Sequence, residues 1–375
     1  MRLAIFAHSW LSDWNHGNAH FLRGLARALI ARGHQVQAFE GQPGNWGAWS
    51  LAQLFAEEPV VALSAIQDFR RHYPELRPEF YPCARRWPEI AEDWLSRRLR
   101  ETAVVLLHEW NEPELGEVLA RLRRRMGFQL FLLDTHHRGY SQPEAIARFP
   151  LREFDAVLAF GESLRQLYLT RFGVCRAYCF HEAADETVFR PLAPAAEPRA
   201  EVVWIGNWGD EERTRQIREF LLLPASHLPQ YRFLAHGVRY PDWARGEMDR
   251  SGIRYAGYLP NLRAVEVYGA ACASVHIPRQ TYANGLSGIP TIRVFEALAC
   301  GIALVSSPWE DREGLFQAGR DYWMARDGAE MTAMLAELLR DDRCRVELAR
   351  QGRETVLQRH TCRHRAQQLE ALCAA

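Results

Sequence analysis

The sequence predicts an α/β protein made of two parallel-sheet domains. Short apolar runs, typical of strands buried on both faces, alternate with amphipathic helical segments along most of the chain. The same strand and helix pattern starts again at Val202, after a segment rich in proline and alanine at 192–199 that we interpret as a linker. The length of 375 residues suits two domains and exceeds what most single cores contain.

The first domain is predicted to cover residues 1–191 and to open with a βαβ unit. A polar loop containing Gly17 and His20 separates the first strand from the first helix. Residues 42–100 are rich in tryptophan, arginine and proline and are interpreted as a helical insertion. The strands expected in this domain are 3–7, 35–39, 104–107, 129–133 and 156–160, and the helices expected are 21–31, 87–100 and 113–125.

The second domain is predicted to cover residues 200–345. Gly301 is expected to end a short helix in the left-handed conformation, just before a buried strand. Residues from 328 onward are predicted to be mostly helical, and 346–375 are treated as a separate C-terminal segment. The strands expected here are 202–205, 231–235, 253–256, 273–277 and 302–305.

Charge and composition exclude several classes of protein. A formal net charge of +0 argues against a general nucleic-acid binder, which normally has a basic excess. The chain contains no lysine, which excludes a P-loop lysine, a pyridoxal Schiff base and a lysine general base. Any phosphate must therefore be bound by arginine, backbone amides or helix N-termini.

Sequence features also predict a reduced, cytoplasmic protein. No run of eighteen apolar residues occurs, and the N-terminus enters a strand without a signal sequence. The eight cysteines are scattered, and the spacing of Cys175 and Cys179 suits neither a zinc knuckle nor a thioredoxin-like motif.

Glu296 is the most informative residue, because it lies at the mouth of a short helix of small apolar residues. A carboxylate there can accept both vicinal hydroxyls of a ribose, and the preceding turn can face an anionic diphosphate. The alternative is a simple favourable interaction with the helix dipole. Arg293, about one turn earlier, can pair with this carboxylate or reach a phosphate oxygen.

The segment from Thr291 to Ser307, with 202–210 and the helical tail, resembles the C-terminal domain of GT-B glycosyltransferases, especially CgeB-like relatives of the retaining group-4 enzymes. The resemblance implies two Rossmann-like domains that face each other across a cleft, with the last helix returning to the first domain. Those enzymes commonly carry two glutamates separated by seven residues. Glu296 matches the second, whereas the first, which contacts the donor sugar, falls on Gly288.

The resemblance also implies donor-binding roles for five further residues. Arg279, just after a predicted strand, would clamp the diphosphate, and Gly206 and Asn207 belong to a loop whose amides approach it. His236 would contact the base or a phosphate, and Tyr258 lies in a loop that pairs with the nucleobase through backbone groups. An ordinary role on the surface, in a turn or at a strand end is the alternative for each.

Polar residues also follow two neighbouring strands of the first domain, where ligands gather in open parallel sheets. They are His108 and Glu109 after one strand, and His136 and His137 after the next. His108 and His136 are catalytic candidates, and His136 either binds the donor sugar, positions an acceptor hydroxyl, or only braces its loop. Glu182, shortly before the linker, is a further candidate base.

A metal site is not expected in this cluster. Asp134 and His136 have the spacing of half a metal site, but no third ligand has a suitable spacing. The resemblance moreover implies that the leaving diphosphate is stabilised without a bound cation.

Two hypotheses of function follow. The first is a glycosyltransferase that moves a sugar from a nucleoside diphosphate sugar, UDP- or GDP-linked, to an acceptor hydroxyl of a glycan, a lipid-linked compound or a small molecule. The resemblance implies a retaining, metal-independent reaction with no further cofactor, and the balanced charge predicts no nucleic-acid partner. The second is a non-catalytic GT-B module that binds a nucleotide or glycan in the assembly of a surface structure. A dinucleotide-dependent oxidoreductase is disfavoured because the first loop lacks the GxGxxG fingerprint.

Overall fold

The computed structural model describes residues 1–14, 17–42, 49–193, 200–209 and 211–374, so most of the predicted linker and Asp210 lie outside the described residues. The chain forms two compact units. The first contains Met1–Asp185 and Cys362–Ala375, and the second contains Glu186–Thr361. Each unit has its own parallel sheet, which confirms the predicted α/β class.

The first unit contains a sheet of seven strands in the order β3-β2-β1-β4-β5-β6-β7, with every neighbouring pair parallel. The central strand β4 is buried at all five positions, as its apolar run predicts. The strands are β1 (Arg2–Phe6), β2 (Gln35–Gly41), β3 (Glu79–Tyr81), β4 (Val104–His108), β5 (Gln129–Asp134), β6 (Ala156–Ala159) and β7 (Ala177–Cys179).

Helices connect these strands, and four of those described begin with proline, whose fixed φ suits the first helical turn. The segment interpreted as a helical insertion contains three helices and also the edge strand β3, which was not predicted. The helices of this part are α1 (Ala19–Ala31), α2 (Trp49–Glu57), α3 (Pro59–His72), α4 (Pro88–Arg98), α5 (Pro113–Met126), α6 (Arg138–Ser141), α7 (Pro143–Ala147) and α8 (Glu162–Thr170).

The second unit contains a sheet of six parallel strands in the order β10-β9-β8-β11-β12-β13. Its strands are β8 (Val202–Ile205), β9 (Phe233–His236), β10 (Ile253–Tyr255), β11 (Ala273–His276), β12 (Ala303–Ser306) and β13 (Trp323–Met324). Its helices are α9 (Glu211–Ile217), α10 (Leu223–His227), α11 (Asp242–Arg250), α12 (Ala264–Gly269), α13 (Ile292–Ala299), α14 (Gly328–Arg340) and α15 (Asp342–Arg359). Short π-helical turns lie at Arg218–Leu222 and Thr281–Gly285.

The helix that carries Glu296 is α13, and all but one of its residues are buried. Gly301 follows it with a φ of +69°, the left-handed conformation expected of a glycine after a helix. Helix α15 packs against α13 and β12 and belongs to the second unit. The segment that joins the first unit begins at Cys362 and forms α16 (Cys362–Ala374), which packs on α1.

Strand order reverses once in each sheet, between β1 and β4 in the first and between β8 and β11 in the second. At such a switch point the connections leave in opposite directions and open a crevice beyond the carboxyl ends of the strands, where ligands bind in open α/β sheets. The topology therefore points to two places, the ends of β1 and β4 and the ends of β8 and β11.

Candidate functional site

In the second unit, one arginine joins the loops that follow β8 and β11. Arg213 donates from Nη1 to the carbonyl of Asn207 at 2.9 Å and from Nη2 to the carbonyl of Ile277. The residue is buried, and its guanidinium carbon lies 5.6 Å from the ring centroid of Trp204. The guanidinium of Arg213 therefore connects the two loops at the switch point.

Arg279 lies against the backbone of Gly209. A β-carbon at Gly209 would be 3.2 Å from Nη2 of Arg279, and the φ of Gly209 is +79°. A side chain at this position would strain the backbone and displace the guanidinium, so the loop needs a glycine here. The structure thus brings together two elements that the sequence predicts for the diphosphate, an arginine and a glycine-containing loop.

Asn207 and His236 connect neighbouring loops of the second unit. The side-chain oxygen of Asn207 accepts from the amide of Val238 at 3.0 Å. Nδ1 of His236 lies 3.4 Å from the carbonyl of Gly257, to which the amide of Gly237 also donates at 2.9 Å. These bonds fix the loops after β8, β9 and β10 as one surface. Tyr258 is half-buried in the loop after β10.

Glu296 is fully buried, and both of its carboxylate oxygens accept hydrogen bonds from side chains of this unit. Oε1 accepts from Nδ2 of Asn261 at 2.7 Å, and Oε2 accepts from Nη1 of Arg293. Of the two interpretations of Arg293, the structure shows the pairing with Glu296. Because Asn261 comes three residues after Tyr258, the carboxylate ties the start of α13 to the predicted nucleobase loop.

His276 ends β11 and is buried between two hydroxyl groups. Its Nδ1 lies 2.8 Å from Oγ of Ser306, and its Nε2 lies 3.0 Å from Oγ1 of Thr291, the residue just before α13. Burial, and then the nearby charge of Arg213, lowers the pKa of His276 to about 3, so the imidazole is neutral.

Gly288 occupies the place of the first family glutamate and has a φ of +97°. A β-carbon there would be 3.3 Å from Cβ of Arg312. A glutamate here would therefore strain the backbone and contact Arg312 closely. The backbone of this loop thus favours glycine over the glutamate of the family pattern.

In the first unit, the ends of β1, β4 and β5 carry a buried polar cluster. Nε2 of His108 lies 2.9 Å from Oε2 of Glu109 and 2.8 Å from Oγ1 of Thr135. Both His108 and Glu109 are fully buried. The ring of His8, at the end of β1, stacks on that of His108 with centroids 6.0 Å apart. Burial lowers the pKa of His8 well below its ordinary value, with His108 and Arg138 adding to the effect.

His136 lies at the accessible side of this cluster and is half-buried. Its ring meets that of Trp110 edge to face, with centroids 5.1 Å apart, and lies 4.0 Å from that of His137. The guanidinium of Arg138 lies 4.3 Å above Trp110 and donates to the carbonyl of Glu109 at 2.8 Å. His136 therefore lies at the strand ends beside two aromatic rings, one of which also contacts a guanidinium.

Asp134 serves its own loop. Its Oδ1 accepts from the amide of His136 at 2.9 Å, and its Oδ2 accepts from the hydroxyl of Tyr168 at 2.6 Å. Burial raises the pKa of Asp134 well above its ordinary value, and the neighbouring Glu109 raises it further. Both oxygens are thus committed to positioning the chain at the end of β5.

Glu182 is buried shortly after β7. The neighbouring His181 contacts the end of β6, with Nδ1 2.9 Å from the carbonyl of Phe160, and its own carbonyl accepts from Nε of Arg365 at 2.9 Å. Glu182 therefore belongs to a segment held by both β6 and α16.

The chain is similar in sequence or in fold to several known proteins. Residues 213–371 match the family model described as glycosyl transferase-like. No curated protein matches the chain. Sucrose-phosphate synthase from Thermosynechococcus elongatus is 16% identical, with a TM-score of 0.63 over 99% of this chain and 98% of that one. HepE from Anabaena, solved with UDP-glucose, is 13% identical, with a TM-score of 0.67 over 100% of both chains. An α-glucosyltransferase solved with UDP and a 13-mer DNA is 11% identical, with a TM-score of 0.69 over 100% of both.

The second unit is therefore similar to glycosyl transferase-like proteins, and the chain as a whole has the GT-B fold. The predicted fold of two Rossmann-like domains is confirmed. The matched segment begins at Arg213 and contains Glu296, Arg279 and the predicted nucleobase loop. Among the described residues, none of the helices has the length and apolar character needed to cross a membrane.

Three residues of this glycosyl transferase-like domain were missed by sequence reasoning. Arg213, Asn261 and His276 each bond to a residue far along the chain, at separations of up to 64 positions. Their place in the chain was the signal available, since His276 ends β11 and Arg213 and Asn261 lie in the first turn of the helical segments that follow β8 and β10.

Proposed function

We propose that this chain transfers a sugar from a nucleoside diphosphate sugar to an acceptor hydroxyl. The observation that carries the proposal is the arrangement at the switch point of the second sheet, where Arg279 lies over the glycine loop and Arg213 joins the same two strand ends. HepE, which has the same fold, is solved with UDP-glucose, and this supports a UDP-sugar as the donor, with a GDP-sugar as the alternative.

Arg279 and the amides of the Gly206 loop would receive the diphosphate. A guanidinium fixed before the reaction stabilises the charge that develops on a leaving diphosphate, and it needs no reorganisation to do so. Since two arginines already converge on this loop, we propose that the reaction needs no metal ion. His236 and Tyr258 lie on the loops that would surround the nucleobase.

Glu296 would accept hydrogen bonds from the ribose hydroxyls. A carboxylate can accept about four hydrogen bonds, and the two side chains hold its orientation. Because Glu296 is fully buried, the ribose would approach the carboxylate from the side of Asn261. Arg293 then positions Glu296 and is not required to touch phosphate.

On the acceptor side, we propose that His136 positions the acceptor hydroxyl and that His108 acts through Thr135 and Glu109 as a positioning residue. His108 and Glu109 are fully buried, so neither is placed to deprotonate an acceptor that attacks opposite the leaving group. We propose retention of configuration, as the resemblance to the retaining group-4 enzymes implies. Glu182, which is also buried, is a second candidate for positioning the acceptor.

The alternative function is a module that binds a nucleotide or glycan without turnover. The observation that favours it is Gly288, which provides no acidic side chain for the donor sugar and whose surroundings do not accommodate one. Binding without turnover is therefore a distinct outcome of the experiment below.

The test has a binding step and a turnover step. Thermal unfolding is measured with UDP, GDP, ADP and TDP and their sugar conjugates, with magnesium and with EDTA, because a ligand of the native state raises the melting temperature. Release of the nucleoside diphosphate is then followed with glycan, lipid-linked, small-molecule and DNA acceptors. A selective shift that EDTA leaves unchanged, with release that depends on an acceptor, is expected. A shift without release from any acceptor favours the non-catalytic module. No shift with any nucleotide contradicts the glycosyltransferase and leaves only a module that binds a glycan.

A further inference from the structure

Thr291 immediately precedes α13 but does not cap it. The residue has the extended backbone of an N-cap, with φ −76° and ψ 160°, and its side chain accepts no hydrogen bond from the first turn. A threonine at this position normally accepts from an amide two or three residues later, which contributes about 1 kcal/mol. Its Oγ1 lies instead 3.0 Å from Nε2 of His276. Another hydrogen bond has thus replaced the cap.

His276 connects Thr291 to the buried hydroxyl of Ser306. Nδ1 of His276 lies 2.8 Å from Oγ of Ser306, which donates to the carbonyl of Ser307 at 2.8 Å. Because a carbonyl can only accept, the single hydroxyl proton of Ser306 is committed to it. Ser306 therefore accepts from His276, and the hydrogen-bond network assigns the ring proton to Nδ1.

The tautomer of His276 also determines which atom donates in its hydrogen bond to Thr291. Burial lowers the pKa of His276 to about 3, so the ring carries one proton only. With that proton on Nδ1, Nε2 has a lone pair and accepts. The hydroxyl of Thr291 must then donate its only proton to His276, and its oxygen can only accept from any further partner.

We propose that Thr291 Oγ1 accepts a hydrogen bond from a hydroxyl group of the donor sugar, and so helps to determine which sugar is used. This inference rests on the function proposed above. An oxygen whose proton is committed cannot donate to a phosphate oxygen, whereas a sugar hydroxyl is a suitable donor to it. A second acceptor already serves the ribose in that proposal, since Glu296 lies deeper in the same helix.

The position of Thr291 agrees with this assignment. It is half-buried at the mouth of α13, five residues before Glu296. At a rise of about 1.5 Å per residue, this places it roughly 7 Å from the ribose site along the helix axis. The ribose and the donor sugar are on opposite sides of the diphosphate, so the sugar end lies towards the helix mouth. Gly288, three residues earlier, offers no side chain there.

Calorimetric titration with UDP and UDP-glucose tests the proposal on the wild type, Thr291→Val and Thr291→Ser. Valine keeps the shape and removes the oxygen, whereas serine keeps the hydroxyl. If the wild type prefers guanine, GDP and GDP-mannose replace this pair. Thr291→Val should weaken UDP-glucose about fivefold to tenfold, the effect of one lost hydrogen bond, and change UDP less than about twofold. Thr291→Ser should resemble the wild type. Equal weakening of both ligands in Thr291→Val, or a serine variant as weak as the valine variant, overturns the proposal.

Nitrogen NMR of the histidine rings in the ligand-free protein tests the proton order separately. His276, assigned by comparison with His276→Asn, should show the Nδ1–H tautomer, and Ser306→Ala should shift the tautomer equilibrium. An Nε2–H tautomer in the wild type overturns the inference even when UDP-glucose binds. A folded wild type that binds no nucleotide overturns the proposed function itself, and the role of Thr291 towards a donor sugar with it.

Discussion

The two sheets of this protein end in polar clusters of opposite kinds. At the ends of β8 and β11, arginines and backbone groups converge, with Arg279 over Gly209 and Arg213 bonded to two loop carbonyls. At the ends of β1, β4 and β5, histidines and carboxylates bond to one another, as His108 does to Glu109. The same topology thus places two arginines beside a glycine loop in one unit, and histidines and carboxylates bonded to one another in the other.

This difference in charge indicates which kind of ligand each switch point can bind. A diphosphate needs fixed positive charge, and the second cluster contains two arginines beside its glycine loop. In the first cluster the charged groups bond to one another, as Glu109 does to His108. Beside them lie the aromatic ring of Trp110 and the half-buried His136. Such a surface suits an uncharged acceptor better than a phosphate. Each prediction below changes one residue to test this contrast.

The largest effect is expected from removing the fixed charge in the second unit. Arg279→Ala should reduce kcat about 100-fold to 1,000-fold, because the leaving diphosphate loses a preorganised cation. The measurement is initial rate of nucleoside diphosphate release. Arg254→Ala is the matched control, since Arg254 is an exposed arginine on β10 of the same unit. A threefold or smaller loss in Arg279→Ala would contradict the donor site placed here.

The next effect concerns a buried carboxyl of the first unit. Glu40 accepts from Oγ of Ser9 at 3.0 Å and from the amide of Trp10 at 2.7 Å, and burial raises its pKa from 4.5 to about 7. The folded state therefore holds more protons than the unfolded state between these values, and the free energy of unfolding should fall as pH rises through this window, by about 3 kcal/mol in total.

Glu40→Gln provides the control for this pH dependence. An amide can preserve the hydrogen bonds to the loop after β1 but cannot ionise, so the fall between pH 4.5 and 7 should become about 3 kcal/mol smaller than in the wild type. Chemical denaturation at four or five pH values gives both curves. Parallel curves for the two proteins would show that Glu40 ionises in the folded state as easily as in the unfolded one.

Glu296→Gln tests whether the donor site depends on an internal ion pair. The change leaves Arg293 without its charged partner in a largely buried place and should reduce the free energy of unfolding by about 2 kcal/mol. It should also weaken UDP binding about tenfold, because the ribose loses a charged acceptor. Glu310→Gln is the control, since its ion pair with Arg312 is exposed and should be dispensable. Unchanged UDP affinity in a folded Glu296→Gln protein would refute the ribose role.

The same contrast explains what the sequence could predict. Apolar runs identified the central strands, because burial on both faces leaves a pattern in composition. The edge strands β3, β7 and β13 have two or three residues each, and their pairing depends on a neighbouring strand rather than on their own composition. Asn261 was missed for a related reason, since its role comes from Glu296, a residue 35 positions away.

The smallest effect separates an accessible histidine from a buried one in the first unit. His136→Ala should reduce kcat/KM for the acceptor about tenfold, through a raised KM. It should leave the melting temperature unchanged, because the side chain is half-buried and lies outside the core. His108→Ala, in contrast, should reduce stability, because it leaves the fully buried Glu109 without a close partner. Steady-state kinetics and thermal unfolding of both variants give the comparison. If His136→Ala lost stability while His108→Ala lost only turnover, the catalytic and positioning roles assigned to these two residues would have to be exchanged.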